Sequence, residues 1–169
     1  MCDDDVDLLP PRLALTWKVS NTAVRNLAKE GLDNYEGIVY LECDNCNPYS
    51  GDTDTDECHP LYCHNPAGLP IPSWANSYVN PSTSSGGSSV GTWSGGEVAL
   101  TRPIRGRALT SLQVANDICE NTFGAGFRMG SFHDGAWKHW GQLFDVSQAT
   151  NLPDHVWIYI KDKPANPWN

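Results

Sequence analysis

The stretch that decides the fold runs from Glu97 to Gly135 and reads EVALTRPIRGRALTSLQVANDICENTFGAGFRMGSFHDG. After a loop, it is followed from His155 to Trp168 by HVWIYIKDKPANPW. In this second part, VWIYI is the most apolar and β-prone run of the chain, which predicts a buried strand over Val156 to Ile160. We expect this strand to pack against a helix in the first part.

The predicted helix lies between Thr110 and Gly124. Thr110 and Gln113 stand in capping-box spacing, so their side chains can satisfy the first free N–H groups of the helix. Apolar side chains then recur at helical spacing, and Gly124 offers the left-handed conformation in which many helices stop. The face that is expected to meet the core carries Leu112, Ala115 and Cys119.

The chain before residue 43 predicts a strand, a helix and a second strand. LALTWKV, from Leu13 to Val19, and GIVYLE, from Gly37 to Glu42, have the composition of strands. Between them, Asn21 to Glu30 carries apolar residues at helical spacing and stops at Gly31, which predicts a second helix.

Length and composition favour a single loop-rich domain. The 169 residues suffice to bury most of the apolar surface of one domain. Charged residues make up only 18% of the chain, beside 15 glycines and 12 prolines, which is typical of a β or α+β protein. We expect an N-terminal tail over residues 1–12 and one α+β domain over residues 13–169, with residues 43–72 as a cysteine-rich loop insertion.

The formal net charge of −9 excludes functions that need a basic surface. Nothing in the chain could neutralise a row of phosphates, so neither nucleic acid nor an anionic membrane surface is an expected partner. No apolar run approaches 18 residues, so no membrane span is predicted.

Six cysteines beside only two methionines indicate an oxidising compartment, which places the protein outside the cell, in a periplasm or on a cell surface. Cys2 admits three interpretations. It pairs with Cys119, it lies free in the tail, or it is the lipidated cysteine of a lipoprotein that has lost its signal peptide. The cysteines are Cys2, Cys43, Cys46, Cys58, Cys63 and Cys119.

The segment from Cys43 to Pro72 has no periodicity and needs cross-links or an ion to be ordered. Disulfides among its four cysteines are the favoured interpretation. One alternative is a zinc site on these cysteines with His64. Another is haem attached at Cys58 and Cys63 with His64 as its ligand, because CHPLYCH is a widened form of the C-x-x-C-H motif.

The same segment contains GDTDTDE, in which Asp52, Asp54 and Asp56 alternate. Three alternating carboxylates repel one another without a cation, and around one centre they begin a calcium loop. Glu57 stands where such loops usually have glycine. The sequence therefore offers Ca²⁺ as a cofactor, with a solvated acidic loop as the alternative.

His133 and Asp134 in SFHDG are the best candidates for catalysis, since a histidine and a carboxylate can act as a base and its orienting group. Neighbours on a turn rarely face each other, however, and the chain has no nucleophile elbow, phosphate loop or HExxH motif. Structural roles are favoured for His133 and Arg128, and no enzymatic activity is expected.

The run AWKHWGQL carries the favoured ligand-binding residues, which are Trp137, Lys138, His139 and Trp140. Tryptophan rings in a polar loop can stack on sugar faces or bury against a protein partner. The chain has seven tryptophans and most must fill the core, so packing explains one of this pair as well as binding does.

At EVALTRPIRG, LTSLQVANDICENTF, FRMGSF and IYIKDKPANPW, over residues 93–168, the chain resembles the endostatin domain of collagen, a member of the C-type-lectin-like fold. It also resembles secreted bacterial proteins of unknown role that carry GAGxRMxxFHDG and a terminal segment like NDQPAN. The resemblance implies an α+β fold, with a twisted mixed sheet, two helices and long disulfide-stapled loops.

In that fold the helix cysteine usually pairs with a cysteine near the C-terminus, where Pro167 stands in this chain. The resemblance therefore leaves Cys119 to pair with Cys2 or to remain a buried thiol. The Glu-Pro-Asn or Gln-Pro-Asp tripeptide of calcium-dependent lectins is absent.

Together these patterns predict a secreted, non-catalytic binding or adhesion module that recognises a glycan or a protein surface. One alternative is a self-associating structural subunit of an extracellular filament or envelope assembly. The other is a hydrolase that uses His133 and Asp134, which requires His133 to lie in an open pocket with carboxylate support.

Overall fold

The computed structural model describes residues 10–79, 92–134, 138–165 and 168, and within them the chain is mostly β-structure. One α-helix, α1 (Leu112–Phe123), accompanies nine strands in these residues. The strands are β1 (Leu13–Ala14), β2 (Thr16–Asn26), β3 (Tyr35–Glu42), β4 (Thr53–Asp54), β5 (Cys58–Asn65), β6 (Thr92–Arg105), β7 (Arg128–Met129), β8 (Lys138–Leu143) and β9 (His155–Trp157).

Six of these strands close into a barrel in the order β6-β8-β3-β2-β9-β5, and β5 pairs with β6 to complete the ring. The pairs β6–β8 and β5–β9 are parallel, and the other four pairs are antiparallel. β7 is added beside β5, and β1 pairs with β4 in a separate ribbon. Closure gives each of the six strands a partner on both sides, which protects strand edges.

This architecture corrects the predicted fold class. The expectation of an α+β, C-type-lectin-like mixed sheet with two helices is wrong, because the described chain is a closed six-stranded β-barrel with one α-helix. The second predicted helix, over residues 21–30, is instead the end of β2 followed by a short 3₁₀ helix over Leu27–Glu30. Pairing with β3 along the whole hairpin outweighs the local helical spacing.

The cysteine-rich segment contributes a strand of the barrel. Cys58–Asn65, which was expected to lie in a loop insertion, is β5 and pairs with β6, β7 and β9. Proline is unusual inside a strand, and the pairing register shifts between Pro60 and Tyr62, where an irregularity accommodates it.

The interior of the barrel is an apolar core to which all six strands contribute. Phe132, from the turn after β7, enters the same cluster and packs edge-on against Trp17. Burial of such side chains is the dominant favourable term in folding. One buried residue from each strand in chain order is Trp17, Leu41, Tyr62, Val98, Leu143 and Val156.

α1 forms close to where the sequence predicts it. Its N-cap is Ser111 instead of Thr110, and the Ser111 hydroxyl accepts a hydrogen bond of 3.1 Å from the Val114 N–H. Gly124 follows the last turn with φ of 115°, a conformation that L side chains rarely adopt. The buried face of α1 packs in a second core that it shares with residues of β5, β6 and β9.

Two disulfides join described cysteines, Cys43–Cys46 and Cys63–Cys119. The first confirms a bridge within the cysteine-rich segment. The second corrects two expectations, that Cys119 pairs with Cys2 or remains a thiol, and that Cys63 pairs inside its own segment. It ties β5 to α1 across 56 residues of sequence. The interpretations of Cys2 itself lie outside the described residues.

These disulfides are compatible with an extracellular location. In the part of the chain that the structure describes, no helix has both the length and the apolar character needed to cross a membrane.

Candidate functional site

A cluster of buried polar side chains lies where the motif RMGSFHD meets β5. Arg128 stands opposite His64 in the pairing of β7 with β5, and the chain then turns into a short 3₁₀ helix over Phe132–Asp134. Gly130 permits this close approach, because a Cβ there would lie 2.5 Å from the Tyr62 ring. The turn brings the side chain of Asp134 back against β5.

Asp134 is the centre of the cluster, and its side chain is only 10% exposed. Its Oδ1 accepts a hydrogen bond of 2.7 Å from Nη2 of Arg128, and its Oδ2 accepts one of 2.8 Å from the Ser131 N–H. Nδ1 of His64 lies 3.2 Å from the same Oδ2, which is ion-pair distance, although the ring N–H is not aligned for a hydrogen bond. Three separate partners therefore fix this carboxylate.

Two opposing effects set the pKa of Asp134. Burial raises it, because a charged carboxylate loses its hydration, but the contacts with His64 and Arg128 favour the charged form and outweigh burial. The pKa of Asp134 therefore lies well below its ordinary value, and the group is ionised at neutral pH.

Tyr62 and His139 extend the cluster into the barrel interior, where both are fully buried. The Tyr62 hydroxyl and Nε2 of His139 lie 2.5 Å apart and share a hydrogen bond. Burial, and then the neighbouring His64, lowers the pKa of His139 to about 3. Burial also raises the pKa of Tyr62 well above its ordinary value, so both groups are neutral at pH 7.

His64 connects this cluster to Ser94 on β6. Nε2 of His64 lies 3.2 Å from Oγ of Ser94. The His64 side chain is 1% exposed, whereas Ser94 is partly exposed. Gly96 leaves room for the imidazole, because a Cβ there would lie 2.6 Å from Nε2. Serine, histidine and aspartate thus form one line of contacts.

Asp134 also borders an open pocket of about 320 Å³. Two of its lining side chains reach solvent, since Arg128 and His133 are 36% and 40% exposed. The lining is mostly polar and combines hydrogen-bonding groups with the phenol ring of Tyr159. The groups concerned are Asn116, Arg128, His133, Tyr159 and Lys161.

His133 lines this pocket but does not pair with Asp134. Its Nε2 lies 3.0 Å from Oδ1 of Asp162, while Asp134 is bound to Arg128. The condition for the hydrolase interpretation was an open pocket with carboxylate support. His133 has both, but the carboxylate belongs to Asp162 instead of Asp134.

The structure places much of the predicted binding run in the interior. His139 is fully buried, and Trp140 is 5% exposed and packs against Tyr40 in a third core. Lys138 is partly exposed, and Trp137 lies outside the described residues. His139 and Trp140 therefore offer almost no surface to a ligand.

The three alternating aspartates have different partners. Asp52 accepts a hydrogen bond of 2.9 Å from the Thr16 hydroxyl. Asp54 accepts one of 2.9 Å from the Asp56 N–H, and Asp56 forms an ion pair of 2.7 Å with Arg107. Among the described residues, no group of three or more histidine, cysteine, aspartate or glutamate side chains could hold a metal ion. The calcium site stays a prediction, and the described arrangement does not bring the three carboxylates together.

The zinc and haem interpretations depend on free sulfur atoms. Cys58 and Cys63 are both disulfide-bonded, and the ring nitrogens of His64 face Asp134 and Ser94. In the structure, the sulfur atoms that would bind zinc or haem are already bonded. Nothing tests these cofactors further, and they stay predictions.

The sequence patterns single out His64 only as a metal ligand, and they do not single out Ser94. The sequence did contain a sign that His64 faces the same way as Tyr62. In CHPLYCHN the two residues stand two positions apart, so they share one face of a strand. Pro60 and the two cysteines gave this segment the composition of a loop. Ser94 lies 30 residues away from His64 along the chain, and only the fold joins them.

Fold and site define a class of protein, a disulfide-bonded β-barrel domain with an open polar pocket beside a partly buried aspartate–histidine–serine contact. No family model, no curated protein and no solved structure matches the chain. These comparisons neither support nor oppose the resemblance to endostatin and to the secreted bacterial proteins.

Proposed function

We propose that the protein is a secreted binding module that recognises a glycan through the pocket beside Asp134. The observation that carries this proposal is the lining of the pocket, which combines several hydrogen-bonding side chains with the ring of Tyr159. Sugars present hydroxyl groups and apolar ring faces, so their sites need fixed polar groups and an aromatic surface.

The polar groups of this pocket are partly preorganised. Asp134 holds the Arg128 guanidinium through contacts of 2.7 and 3.3 Å, so the arginine loses little freedom when a ligand binds. Asn116 is held too, because its Oδ1 accepts a hydrogen bond of 2.9 Å from the Met129 N–H, which leaves the amide NH₂ as a donor.

The pocket replaces the AWKHW run as the expected contact surface. It lies between α1, β7 and the segment after β9, and it includes residues of the FRMGSFHDG motif. Lys161, at its rim, is exposed and adds a cation that suits a sugar hydroxyl or carboxylate.

A glycan array with the intact, disulfide-bonded protein identifies a ligand, and calorimetric titration then measures its affinity. We expect Lys161→Ala to weaken binding about tenfold or more, the effect of one charge-assisted hydrogen bond, with an unchanged melting temperature. Lys29→Ala is the matched control, because Lys29 is an exposed lysine on the 3₁₀ helix after β2.

An array without any bound glycan would contradict the proposal. So would a ligand whose affinity is equally reduced by Lys161→Ala and Lys29→Ala, since that result would indicate attraction to charge alone.

A further inference from the structure

Ser94 and His64 do not line the proposed binding pocket, although Asp134, which lies beside His64, borders it. The three residues come from β6, from β5 and from the 3₁₀ helix after β7. Oγ of Ser94 lies 3.2 Å from Nε2 of His64, and Nδ1 of His64 lies 3.2 Å from Oδ2 of Asp134. A serine hydroxyl at one imidazole nitrogen, with a carboxylate at the other, is the order of groups that activates a serine as a nucleophile. In the structure the Nδ1–H of His64 is at ion-pair distance from Asp134 but is not aligned on it, so a small rotation of the ring is needed to form that hydrogen bond.

We propose that Ser94 is a nucleophile for acyl transfer, with His64 as its general base and Asp134 as the positioning residue for His64, and that the protein hydrolyses carboxylic esters at Ser94. This activity goes beyond glycan binding and does not depend on it. Such triads are defined by geometry and by the role of each residue, and their order along the chain differs between folds.

The surroundings suit these roles. Asp134 is held by Arg128 and by the Ser131 N–H, so it keeps its charge and orientation while the imidazole gains a proton. The other buried histidine, His139, is bonded to Tyr62 and stays neutral at pH 7. His64 is the imidazole of this cluster that contacts Ser94, with Nε2 at 3.2 Å from Oγ.

Ser94 is also accessible. It is partly exposed, whereas His64 behind it is shielded from water. Gly141 lies close to the hydroxyl, since a Cβ on this residue would lie 3.2 Å from Oγ. The N–H of Gly96 donates a hydrogen bond of 3.4 Å to the same oxygen, which helps to fix the position of the hydroxyl.

The chemical step balances with water as the co-reactant. Oγ of Ser94 attacks the ester carbonyl carbon, and its proton moves to Nε2 of His64. The C–O bond of the ester breaks, and the leaving alcohol takes that proton. Water then attacks the acyl-serine through the same base, which releases the carboxylic acid and restores Ser94.

A fluorophosphonate probe tests the nucleophile directly. The intact protein is incubated with the probe at pH 8, and the adduct is located by peptide mass spectrometry. We expect phosphonylation of Ser94 at least 100-fold faster than of Ser147, with loss of fluoride. Ser147 is the matched control, because its exposed hydroxyl donates to the Asp145 carboxylate at 2.7 Å, without a histidine beside it.

Variants complete the test. His64→Gln should slow labelling of Ser94 at least 100-fold, and Ser94→Ala should abolish the adduct without a change in melting temperature. If His64→Gln does not fold, urea-unfolded wild-type protein takes its place and should lose the labelling. Absence of an adduct on Ser94, or labelling that survives unfolding, would overturn the proposal.

The two proposals fail separately. Ser94→Ala should leave glycan affinity unchanged, and Lys161→Ala should leave the rate of Ser94 labelling unchanged.

Discussion

A Cβ atom on Gly130 would lie 2.5 Å from the ring of Tyr62, which is fully buried in the barrel. Neither the closed barrel nor the ring can move away easily, because side chains in such a core are closely packed. We expect Gly130→Ala to lower the free energy of unfolding by about 3 kcal/mol, the upper end of the cost of overpacking. Urea denaturation measures this change.

Gly31→Ala is the control for the glycine at position 130. Gly31 has φ of 85° and no atom within 4 Å of an added Cβ, so alanine there meets backbone strain alone. That strain costs about 1–2 kcal/mol. A smaller loss for Gly130→Ala than for Gly31→Ala would contradict the close approach to Tyr62.

His139 makes stability depend on pH. Its pKa is about 3 in the folded protein, against about 6.5 in an unfolded chain, so the unfolded state binds more protons between these values. The free energy of unfolding is therefore highest above pH 6.5 and falls as the pH drops towards 3, by up to about 1.4 kcal/mol per pH unit. Asp134 adds a further loss below about pH 4, where unfolded carboxylates become protonated.

Urea denaturation between pH 7 and pH 5 follows this change, because carboxylates of ordinary pKa remain largely ionised in this range. Comparison with the His139→Gln variant separates His139 from the other four histidines. His139→Gln should flatten the profile there. A free energy of unfolding of the wild-type protein that stays constant over this range would contradict the lowered pKa of His139.

At the scale of elements, α1 is attached to the barrel by the Cys63–Cys119 disulfide, which closes a loop of 56 residues. By the chain-entropy account, such a bridge stabilises the folded protein by about 4 kcal/mol. We expect the double substitution Cys63→Ala and Cys119→Ala to lower the free energy of unfolding by about that amount in guanidinium denaturation.

The bridge Cys43–Cys46 supplies the control, because it spans only three residues and removes less entropy from the unfolded chain. The double substitution Cys43→Ala and Cys46→Ala should cost less than half as much. Equal losses for the two pairs would show that loop closure does not explain the stabilisation.

The elements differ in how far the sequence predicts them. The sequence predicts α1 because an N-cap residue, an apolar face and a C-terminal glycine are local signals. The observed N-cap, Ser111, is one residue after the predicted one. Residues 21–30 also have helical spacing, but they pair with β3, and that non-local contact decides their conformation. The sequence did not predict β5, because proline disfavours a strand. In the structure, the irregular pairing next to Pro60 accommodates the proline.

In the candidate site, too, the sequence predicts the local grouping of residues but not their long-range contacts. Arg128, His133 and Asp134 stand in one motif. The sequence offered His133 and Asp134 as the best candidates for catalysis but favoured structural roles for His133 and Arg128, and it placed the binding site in the AWKHW run instead. The partner of each side chain depends on the fold. Asp134 contacts His64 on a strand that was expected to be a loop, and His133 contacts Asp162 from the segment after β9.

At the scale of the whole molecule, the barrel is a set of contacts between distant segments. Two of its six strand pairs are parallel, and parallel neighbours need long connections that carry no local signal. Motifs in residues 93–168 suggested a lectin-like domain, but half of the barrel strands, β2, β3 and β5, lie before that region. The fold class was wrong because the resemblance contained no information about them.

The pairing of β2 with β9 also has a consequence for the order in which the protein assembles. Thr16 pairs with Trp157, so a strand made early during synthesis obtains one of its two neighbours only after nearly all the other strands have been made. The β2–β3 hairpin can form as soon as both strands are made, but the other edge of β2 stays unpaired until β9 is made. Long-range pairing of this kind slows folding and leaves strands exposed to wrong partners meanwhile. We therefore expect the unpaired edge of β2 to be a site of association with other chains until β9 is made.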